Sequence, residues 1–545
     1  MLQPQNVPKK YSHLFVDIDA GRMKIPKFQR DFVWTEVQTA ALLDSIIKGF
    51  PIGTFILWKT REEMRHFKNV GNVTLPEVPK GDAVHYVLDG QQRITSLYAV
   101  HKGARITKEG KEIDYKRVSI NLTMDSEEDE QIVLPEPADD GATCISVHEL
   151  LNGSIEELAS KYGPFLGKIN EYRNRLLGYD FSTIIIEEYP IDIACEVFTR
   201  INTGGTELTL FEIMVAKTFD QERGFDLARE YDWLIDNKGA AKDLEDAGFE
   251  TVPASTVIQC VAAHITGQMR RKDILKLDKA AFIDAWPVVK DGMFQAVDYI
   301  NTQLRIPVSR LLPYPALLVP LTYFFIRSES PDVSPLQNAL LVQYFWWASL
   351  SHRFTSGVEN KLAQDLARMD SILAGKPPSY AGEEVRLTIE DLKQSWFSTG
   401  DAFCKAILCL YAYHQPKSFA NNGLVKLGNS WLKVAFSRNY HHFFPKKYLE
   451  KTTFTEQEAN SILNITLVNE DLNKRKIGAK APSVYMKGFE GANPELAETM
   501  KSHLIDDLDS FGVWTDDFSA FLEQRGERVL AELTKRLEPD LAHLS

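Results

Sequence analysis

The segment VLDGQQRITSLYA, Val87 to Ala99, decides how the first part of this chain is interpreted. A strand-like run, HYVLDG (His85 to Gly90), leads into the turn pair Asp89-Gly90, and QQR opens the helix that follows. Backbone N–H groups at the start of a helix favour an anion. The segment therefore predicts either a phosphate-binding turn or an ordinary Asp-Gly turn followed by solvated polar side chains.

The side chains of this segment suit the first interpretation. Arg93 supplies a forked cation that matches a phosphate group. Asp89 could hold a metal ion or a ribose hydroxyl, and Gln91 and Gln92 can both donate and accept hydrogen bonds. The chain has no Walker A pattern and no GxGxxG pattern, which excludes a P-loop or a Rossmann nucleotide site.

Two further clusters lie on either side of this segment. The first is IPKFQRDFVW, Ile25 to Trp34, and the second is FTRINTGGTELTLFE, Phe198 to Glu212. By itself, the pair Gln29 and Arg30 in the first cluster reads as a surface pair beside a core aromatic residue.

In this order and at these separations, the three clusters resemble the GmrS-like family, which is marked by the DGQQR motif. The resemblance covers roughly residues 10 to 220 and implies a ParB/sulfiredoxin-like fold. It also implies nucleoside triphosphate (NTP) binding and hydrolysis that license DNA cleavage. The nucleotide-site residues that it implies are Asp89, Gly90, Gln91, Gln92, Arg93, Gln29 and Arg30.

The whole chain has 545 residues, 44% of them hydrophobic, and a formal net charge of -13. Its length favours about three domains. We expect an α+β multidomain protein with an N-terminal domain at 1–220, a helical linker domain at 221–430 and a C-terminal domain at 431–545. The acidic total argues against a protein that simply coats nucleic acid, but it allows a local basic site.

Such a basic region occurs near the C-terminus. Residues Lys433 to Lys487 contain ten Lys or Arg against five Asp or Glu, whereas Gly488 to Ser545 contain five against thirteen. Within the basic region, RNYHHFFPKKYLE (Arg438 to Glu450) holds a His-His pair. Hydrolysis of a phosphodiester needs a base to activate water, a divalent ion and cations on the flanking phosphates. His442 could be the base, although an isolated His-His is most often a surface pair.

The order of elements around this pair is strand, strand, helix. His-His-x-x-Pro reads as a strand end, NITLV (Asn464 to Val468) as a second strand, and NEDLNKRK as the start of a helix. This pattern resembles the GmrD-like subfamily of HNH, or ββα-metal, nucleases. The resemblance spans about residues 430 to 490, and FGVWTDDFSAFLEQRGERVLAEL (Phe511 to Leu533) resembles the subfamily's closing helix.

Site roles follow from the second resemblance. It implies His442 as the general base, Asn464 as the residue that orients it through the backbone, and His441 and Asn473 as metal ligands. Many HNH nucleases carry an acid where His441 stands. Since Mg²⁺ prefers oxygen ligands, this departure leaves either Mn²⁺ or another ligand such as Asp471. The residues expected to hold the DNA backbone are Lys474, Arg475 and Lys476.

Together the two resemblances predict an NTP-regulated, metal-dependent DNA endonuclease of type IV, or modification-dependent, restriction and anti-phage defence. The cofactors expected are a divalent metal ion, Mg²⁺ or Mn²⁺, and a nucleoside triphosphate. Modified DNA is the expected partner, and a homodimer is left open. Two alternatives are a nucleotide- and DNA-binding sensor with an inactive HNH module, and an NTP hydrolase whose HNH-like segment only packs as structure.

The cellular setting follows from what the sequence lacks. The N-terminus has no apolar signal-peptide region. The chain also has no CxxC pair, which argues against a zinc site held by cysteines. The longest uncharged run, Leu311 to Ile326, is too short for a membrane span and contains prolines, so it reads as buried core. We therefore expect a cytoplasmic protein without membrane contact.

Overall fold

A computed structural model describes the chain in two compact units, Met1–Leu227 and Ala228–Ser545. The described residues are 3–29, 31–67, 69–79, 81–108, 111–138, 143–201, 208–239, 242–330, 332–429, 440–468 and 477–543.

Strands and helices are mixed throughout the N-terminal unit. Its strands are β1 (Gln5–Asn6), β2 (Lys9–Lys10), β3 (Met23–Lys24), β4 (Phe55–Thr60), β5 (Asn69–Val70), β6 (Val73–Thr74), β7 (Val84–Asp89), β8 (Arg105–Lys108), β9 (Lys111–Asp114), β10 (Ser119–Asn121), β11 (Val133–Leu134), β12 (Cys144–Ser146), β13 (Asp180–Phe181) and β14 (Thr183–Glu187). Its helices are α1 (Tyr11–Asp19), α2 (Glu36–Ile47), α3 (Gln91–Lys102), α4 (Val147–Asn152), α5 (Ile155–Tyr162), α6 (Leu166–Gly178), α7 (Ile191–Ile201) and α8 (Leu210–Thr218).

A five-stranded sheet in the order β1-β14-β4-β7-β3 organises this unit. β4 runs antiparallel to β7, and a register shift between Ile56 and Leu57 lets Ile56 face Asp89 at the end of β7. Most apolar side chains of β4 and β7 are buried, together with those on one face of α1, α2 and α3. Because β7 is a buried strand, the sheet holds Asp89 in place at the start of α3.

The C-terminal unit is mostly helical. Its helices are α9 (Leu227–Ile235, which begins at the unit boundary), α10 (Ala254–Ile265), α11 (Arg271–Ile274), α12 (Lys279–Thr302), α13 (Leu318–Arg327), α14 (Pro335–Leu350), α15 (Val358–Leu373), α16 (Ile389–Gln394), α17 (Ala402–Tyr413), α18 (Lys446–Leu449), α19 (Glu456–Ala459), α20 (Pro482–Glu490), α21 (Leu496–Lys501) and α22 (Phe518–Leu537). α13 is buried almost throughout and packs against α10, α12 and α15.

A two-stranded antiparallel sheet lies among these helices. It pairs β15 (Tyr440–His442) with β16 (Ile465–Leu467), so that His441 faces Thr466 and His442 faces Ile465. α18 and α19 connect the two strands.

Several elements confirm the sequence predictions. The short apolar runs FILW (Phe55 to Trp58) and HYVLDG (His85 to Gly90) predict strands, and these are β4 and β7. Apolar residues at helical spacing in TEVQTAALLDSIIKG, residues 35–49, predict a helix, and this is α2. The run from Leu311 to Ile326 is largely buried and contains most of α13. Among the helices of the described residues, none is both long and apolar enough to cross a membrane.

Two predictions need correction. The acids and prolines of DSEEDEQIVLPEPADDG (Asp125 to Gly141) predict an exposed loop, yet Ile132 and Val133 within it are fully buried. The Asp44 carboxylate accepts hydrogen bonds from both of their backbone N–H groups, at 2.7 and 3.1 Å. The closing helix starts later than predicted, at Phe518, because Asp517 caps it through the N–H of Ala520.

Other predictions stay predictions. The chain is mixed α/β with more than one unit, which agrees with the predicted class at that level. The ParB/sulfiredoxin-like and ββα-metal assignments go further than this, and so do the three domain ranges. The boundary at 430/431 and the helix predicted to start at NEDLNKRK lie outside the described residues.

Candidate functional site

In the N-terminal unit, the three sequence clusters lie together. The Gln29 side-chain amide donates to the carbonyl of Val87 in β7, which joins the first cluster to the second. Phe28 packs edge-on against Phe198 of α7 with ring centroids 4.9 Å apart, which joins the first cluster to the third. Arg30 lies outside the described residues, as does the RINTGG stretch from residue 202 onwards.

Gly90 makes the turn between β7 and α3 possible. Its φ of +94° lies in the left-handed region, which L side chains rarely adopt. A Cβ at this position would lie 2.3 Å from the ring of Phe55, so space and backbone angle both require glycine. The turn leaves the first N–H groups of α3 without acceptors inside the helix, as at any helix start.

The buried Gln92 side chain holds the segment that precedes α2. Its Oε1 accepts from the backbone N–H groups of Val33, at 2.9 Å, and Trp34, at 3.2 Å. Its Nε2 donates to the carbonyl of Asp31, at 3.0 Å, and to the side chain of Gln91. The Gln92 side chain therefore stabilises the backbone of this segment, a role that the sequence did not reveal.

Arg93 is similarly engaged. Its guanidinium donates to the carbonyls of Ile52, at 2.5 Å, and Thr54, at 3.0 Å, and pairs with Asp89 at 3.2 Å. Gly53 allows this approach, because a Cβ there would lie 2.5 Å from the guanidinium. The Asp89 side chain is 37% exposed and the Arg93 side chain is 16% exposed. An incoming phosphate would meet a cation that is already paired with a carboxylate and two carbonyls.

In the C-terminal unit, the side chain of Asn460 orients the ring of His442. The side-chain amide of Asn460 donates from Nδ2 to the carbonyl of Phe397 at 3.2 Å, which turns its Oδ1 toward the histidine. Nε2–H of His442 then donates to that Oδ1 at 2.9 Å. A neutral imidazole with its proton on Nε2 keeps its lone pair on Nδ1. The arrangement leaves Nδ1 as the basic nitrogen.

Burial keeps this imidazole neutral. Loss of solvent lowers the pKa of His442 to about 4, an effect that the hydrogen bond to Asn460 opposes and the positive charge of Lys446 reinforces. At neutral pH the ring is therefore uncharged.

Asn464 acts on the backbone that follows the histidine. Its side chain accepts from the N–H of Phe444 at 2.8 Å and donates to the carbonyls of Phe444 and Ala459, both at 2.9 Å. Its own carbonyl accepts from the N–H of Phe443 at 2.7 Å. Asn464 is fully buried, so these bonds are shielded from water. They fix the chain directly after β15.

His441 has a different environment. Its side chain is buried, and its ring lies 6.4 Å from that of Tyr485. Tyr440 and His442 both contact the ring of Phe397, as expected for residues two apart on a strand, whereas His441 belongs to the other face.

Only some of the residues predicted to bind a metal ion are described. Among the described residues, no group of three His, Cys, Asp or Glu side chains could hold a metal ion. A single buried imidazole does not make a Mg²⁺ site, since that ion prefers oxygen ligands. The predicted ligand Asn473 and the predicted DNA contacts Lys474, Arg475 and Lys476 lie outside the described residues, as does Asp471.

Sequence reasoning missed three groups that shape this site. Asn460 stands four residues before Asn464 in NSILN, and Phe397 comes from a distant loop. Arg525 of α22 donates to the carbonyls of Leu463 and Ile465, on either side of Asn464, and to that of His503. Only the repeated asparagine was visible as a local signal, because the other contacts join segments far apart in the chain.

Comparison with known proteins agrees with the first resemblance. Residues 11–219 match the family described as GmrSD restriction endonuclease, N-terminal domain. The match supports the resemblance of this region to GmrSD and points to a nuclease of the restriction, or anti-phage, type. The chain is also 23% identical to the uncharacterized protein MJ0686 of Methanocaldococcus jannaschii over 585 aligned positions, covering 94% of this chain and 96% of that protein.

Proposed function

We propose that the protein is a restriction endonuclease that hydrolyses DNA phosphodiesters with His442 as general base. The observation that carries the proposal is the hydrogen bond from His442 Nε2 to Asn460 Oδ1, which leaves Nδ1 as the basic nitrogen. The family match of residues 11–219 supports the restriction class independently of this geometry.

The proposed reaction uses this basic nitrogen directly. Water gives a proton to Nδ1 of His442 as its oxygen forms a bond to phosphorus, and the bond from phosphorus to the leaving sugar oxygen breaks. Asn460 holds the ring through Nε2, and Asn464 holds the chain that follows it. Lys446, half-buried four residues after His442, supplies positive charge near the phosphate.

A divalent metal ion, Mg²⁺ or Mn²⁺, belongs to the proposal, with His441 and Asn473 as its expected ligands. When bound, such an ion would stabilise charge developing on the phosphate. Of these two expected ligands, only His441 belongs to the described residues.

The N-terminal unit is proposed to bind and hydrolyse a nucleoside triphosphate and so to control cleavage. Asp89 and Arg93 form a partly exposed ion pair at the start of α3, where backbone N–H groups favour an anion. Gln29, Gln91 and Gln92 would support this turn. Modified DNA is the proposed substrate, the cytoplasm the proposed site of action, and two chains together would cut both strands.

A second candidate function has a specific observation in its favour. His441 is buried beside Tyr485 instead of lying open to a metal ion. This fits a protein that binds DNA and nucleotide as a sensor, with an inactive HNH module, and acts through partners.

One digestion series separates the two. Purified protein is incubated with unmodified DNA and with DNA from a phage whose cytosines are modified, with Mg²⁺ or Mn²⁺, and with or without ATP or GTP. The His442→Ala variant runs beside His543→Ala, a histidine exposed near the C-terminus. The nuclease proposal expects cleavage that needs a metal ion and His442, survives His543→Ala and depends on the nucleotide or the modification. DNA binding without cleavage under every condition supports the sensor instead.

A further inference from the structure

The C-terminal unit contains a cavity that the proposed reaction does not use. Its volume is about 910 Å³, within the usual range for sites that hold small molecules. The lining comes from the end of α14 and the turn after it, from residues 382–387, and from the segment between α16 and α17. Trp347, Arg353 and Glu383 contribute to one side, and His352, Trp396 and Phe403 contribute aromatic rings.

The charged network beneath the cavity is internally satisfied. The Arg353 side chain is buried and donates to the Asp365 carboxylate, at 3.0 Å, and to Glu383, at 2.7 Å. Arg368 pairs with the same two acids. Both guanidinium groups lie over the ring of Trp347, at 5.0 and 4.6 Å from its centroid. Arg353 is therefore a fixed part of the wall.

The remaining charges do not favour a polyphosphate. Lys361 donates to the carbonyl of Arg353 at 2.6 Å, which draws its ammonium group into the wall. The exposed Arg386 lines the cavity together with the acids Glu384, Asp391 and Asp401. Because acids predominate on this rim, a neutral ligand that stacks and hydrogen-bonds fits the cavity better than a triphosphate.

The aromatic rings provide stacking surfaces. Trp396 is 43% exposed although it lines a cavity, and Lys446 lies over its ring at 5.4 Å from the centroid. The exposed ring of His352 is nearly parallel to that of Phe403, at 15° and 6.0 Å. Exposed aromatic faces beside a lysine are the pattern by which proteins stack unpaired bases and hold their phosphates.

The residues that line this cavity adjoin those that hold His442 in place. Phe397, the residue after Trp396, donates from its backbone N–H to the carbonyl of Asn460 at 2.9 Å and accepts from that residue's side chain. The ring centroids of Phe397 and His442 lie 6.5 Å apart. Lys446, at the start of the helix that follows β15, contacts the ring of Trp396 and so joins the segment after His442 to the cavity wall.

We propose that this cavity receives a single base turned out of the DNA helix, next to the phosphate that His442 attacks. The inference rests on the proposed function for the identity of the polymer. Trp396 would stack on the base, and Lys446 would hold its phosphate. Since the cavity is larger than an ordinary base needs, it leaves space for a substituent on the base.

The test uses the full chain and two DNA duplexes that differ in one feature. One carries a single bulged 2-aminopurine, whose fluorescence increases when it leaves the base stack, and the other is fully paired. Unpaired bases are the least costly to extrude, so the protein is expected to bind the bulged duplex more tightly and to change its fluorescence. Binding is measured by fluorescence anisotropy in EDTA, which prevents cleavage.

The variants isolate the stacking surface. Trp396→Ala is expected to weaken binding of the bulged duplex roughly ten-fold and to leave the paired duplex almost unchanged. Trp396→Phe is expected to retain most of the preference. Trp233→Ala is the matched control, because Trp233 is 48% exposed in the same unit and has Arg229 over its ring at 4.8 Å. His352→Asn, which tolerates the left-handed backbone at this position (φ +53°), is a second test that does not remove the tryptophan.

The outcomes separate this inference from the proposed function. Equal losses in Trp396→Ala and Trp233→Ala, or no preference for the bulged duplex in the wild type, would overturn the cavity assignment. ATP binding that Trp396→Ala abolishes, with no effect of the bulged base, would also overturn it in favour of an effector site. A bulge preference that depends on Trp396, in a protein that never cleaves DNA, would support the base site and refute the nuclease.

Discussion

The DGQQR segment of the N-terminal unit and the His442 segment of the C-terminal unit use amide side chains in different ways. Gln29 and Gln92 bind backbone groups, so they hold loops in place around β7 and α3. In the C-terminal unit, Asn464 binds the backbone in the same manner, but Asn460 binds the ring of His442 itself. One region thus holds a turn, and the other holds the imidazole of His442.

This difference shows what a short motif can and cannot convey. A motif records which residue types are needed, yet the same amide can support a loop or orient a base. Only the group that each amide contacts separates the two roles, and that group is usually distant in the chain. The predictions below test whether the two regions differ in this way, beginning with the largest expected effect.

The most severe change is expected at Arg525, which is fully buried and donates to carbonyls on both sides of Asn464. Replacing it with Met leaves those carbonyls without a charged donor and should destabilise the C-terminal unit by about 4 kcal/mol. Arg528→Met, on the same helix but partly exposed, should cost less than about 1 kcal/mol. Hydrogen exchange of β16 and α22 measures both, and similar protection in the two variants would contradict the role of Arg525.

The second largest effect is expected at Gly90. Alanine there must adopt a left-handed backbone and also displace the ring of Phe55, which together should cost about 3 kcal/mol. Gly49→Ala should be destabilised only by the strain of the left-handed backbone, about 1 kcal/mol, because the new Cβ would meet nothing within 4 Å. Hydrogen exchange of β7 and α3 should show the larger loss in Gly90→Ala. Equal losses would mean that the turn is not tightly packed.

Acid should weaken the C-terminal unit through His503. Burial lowers the pKa of this histidine to about 4, helped by the nearby charge of Arg525 and opposed by its hydrogen bond to the Lys417 carbonyl. Its folded pKa lies below its unfolded value of about 6.5, so the stabilisation is complete above that value and is lost as the pH falls toward 4. We expect about 2 kcal/mol of loss between pH 7 and pH 5. Urea unfolding of wild type and His503→Gln at both values measures this, and an unchanged pH dependence in the variant would refute it.

The smallest effect is expected for Gln92→Glu. The carboxylate can still accept from Val33 and Trp34, but it cannot donate to the carbonyl of Asp31. The Gln91 amide can turn to donate to the new carboxylate, so the bond to Asp31 is the one that is lost, which should cost about 1 kcal/mol. Exchange of the amides at residues 31–34 should quicken modestly while nucleotide affinity changes little. A complete loss of nucleotide binding would show instead that Gln92 contacts the ligand, and the contrast between the units would then fail.

Much of the fold could be predicted from local patterns. The strands β4 and β7 and the helix α2 follow from apolar periodicity and turn residues, and the family match agrees with the DGQQR resemblance. Burial of Ile132 and Val133 could not be predicted, because it depends on the Asp44 carboxylate, which is distant in the sequence. The role of Asn460 was hidden for the same reason, since its other partner is Phe397.

The rate of the chemical step in His442→Ala tests the central claim most directly. Enzyme in excess over labelled DNA, in the nucleotide and metal ion that support wild-type cleavage, reports this rate without interference from product release. Loss of the general base should lower it by roughly a hundred-fold to ten-thousand-fold, with DNA affinity and folding unchanged and with His543→Ala at the wild-type rate. A His442→Ala protein that cleaves within a few-fold of wild type would contradict the assignment of His442 as the base.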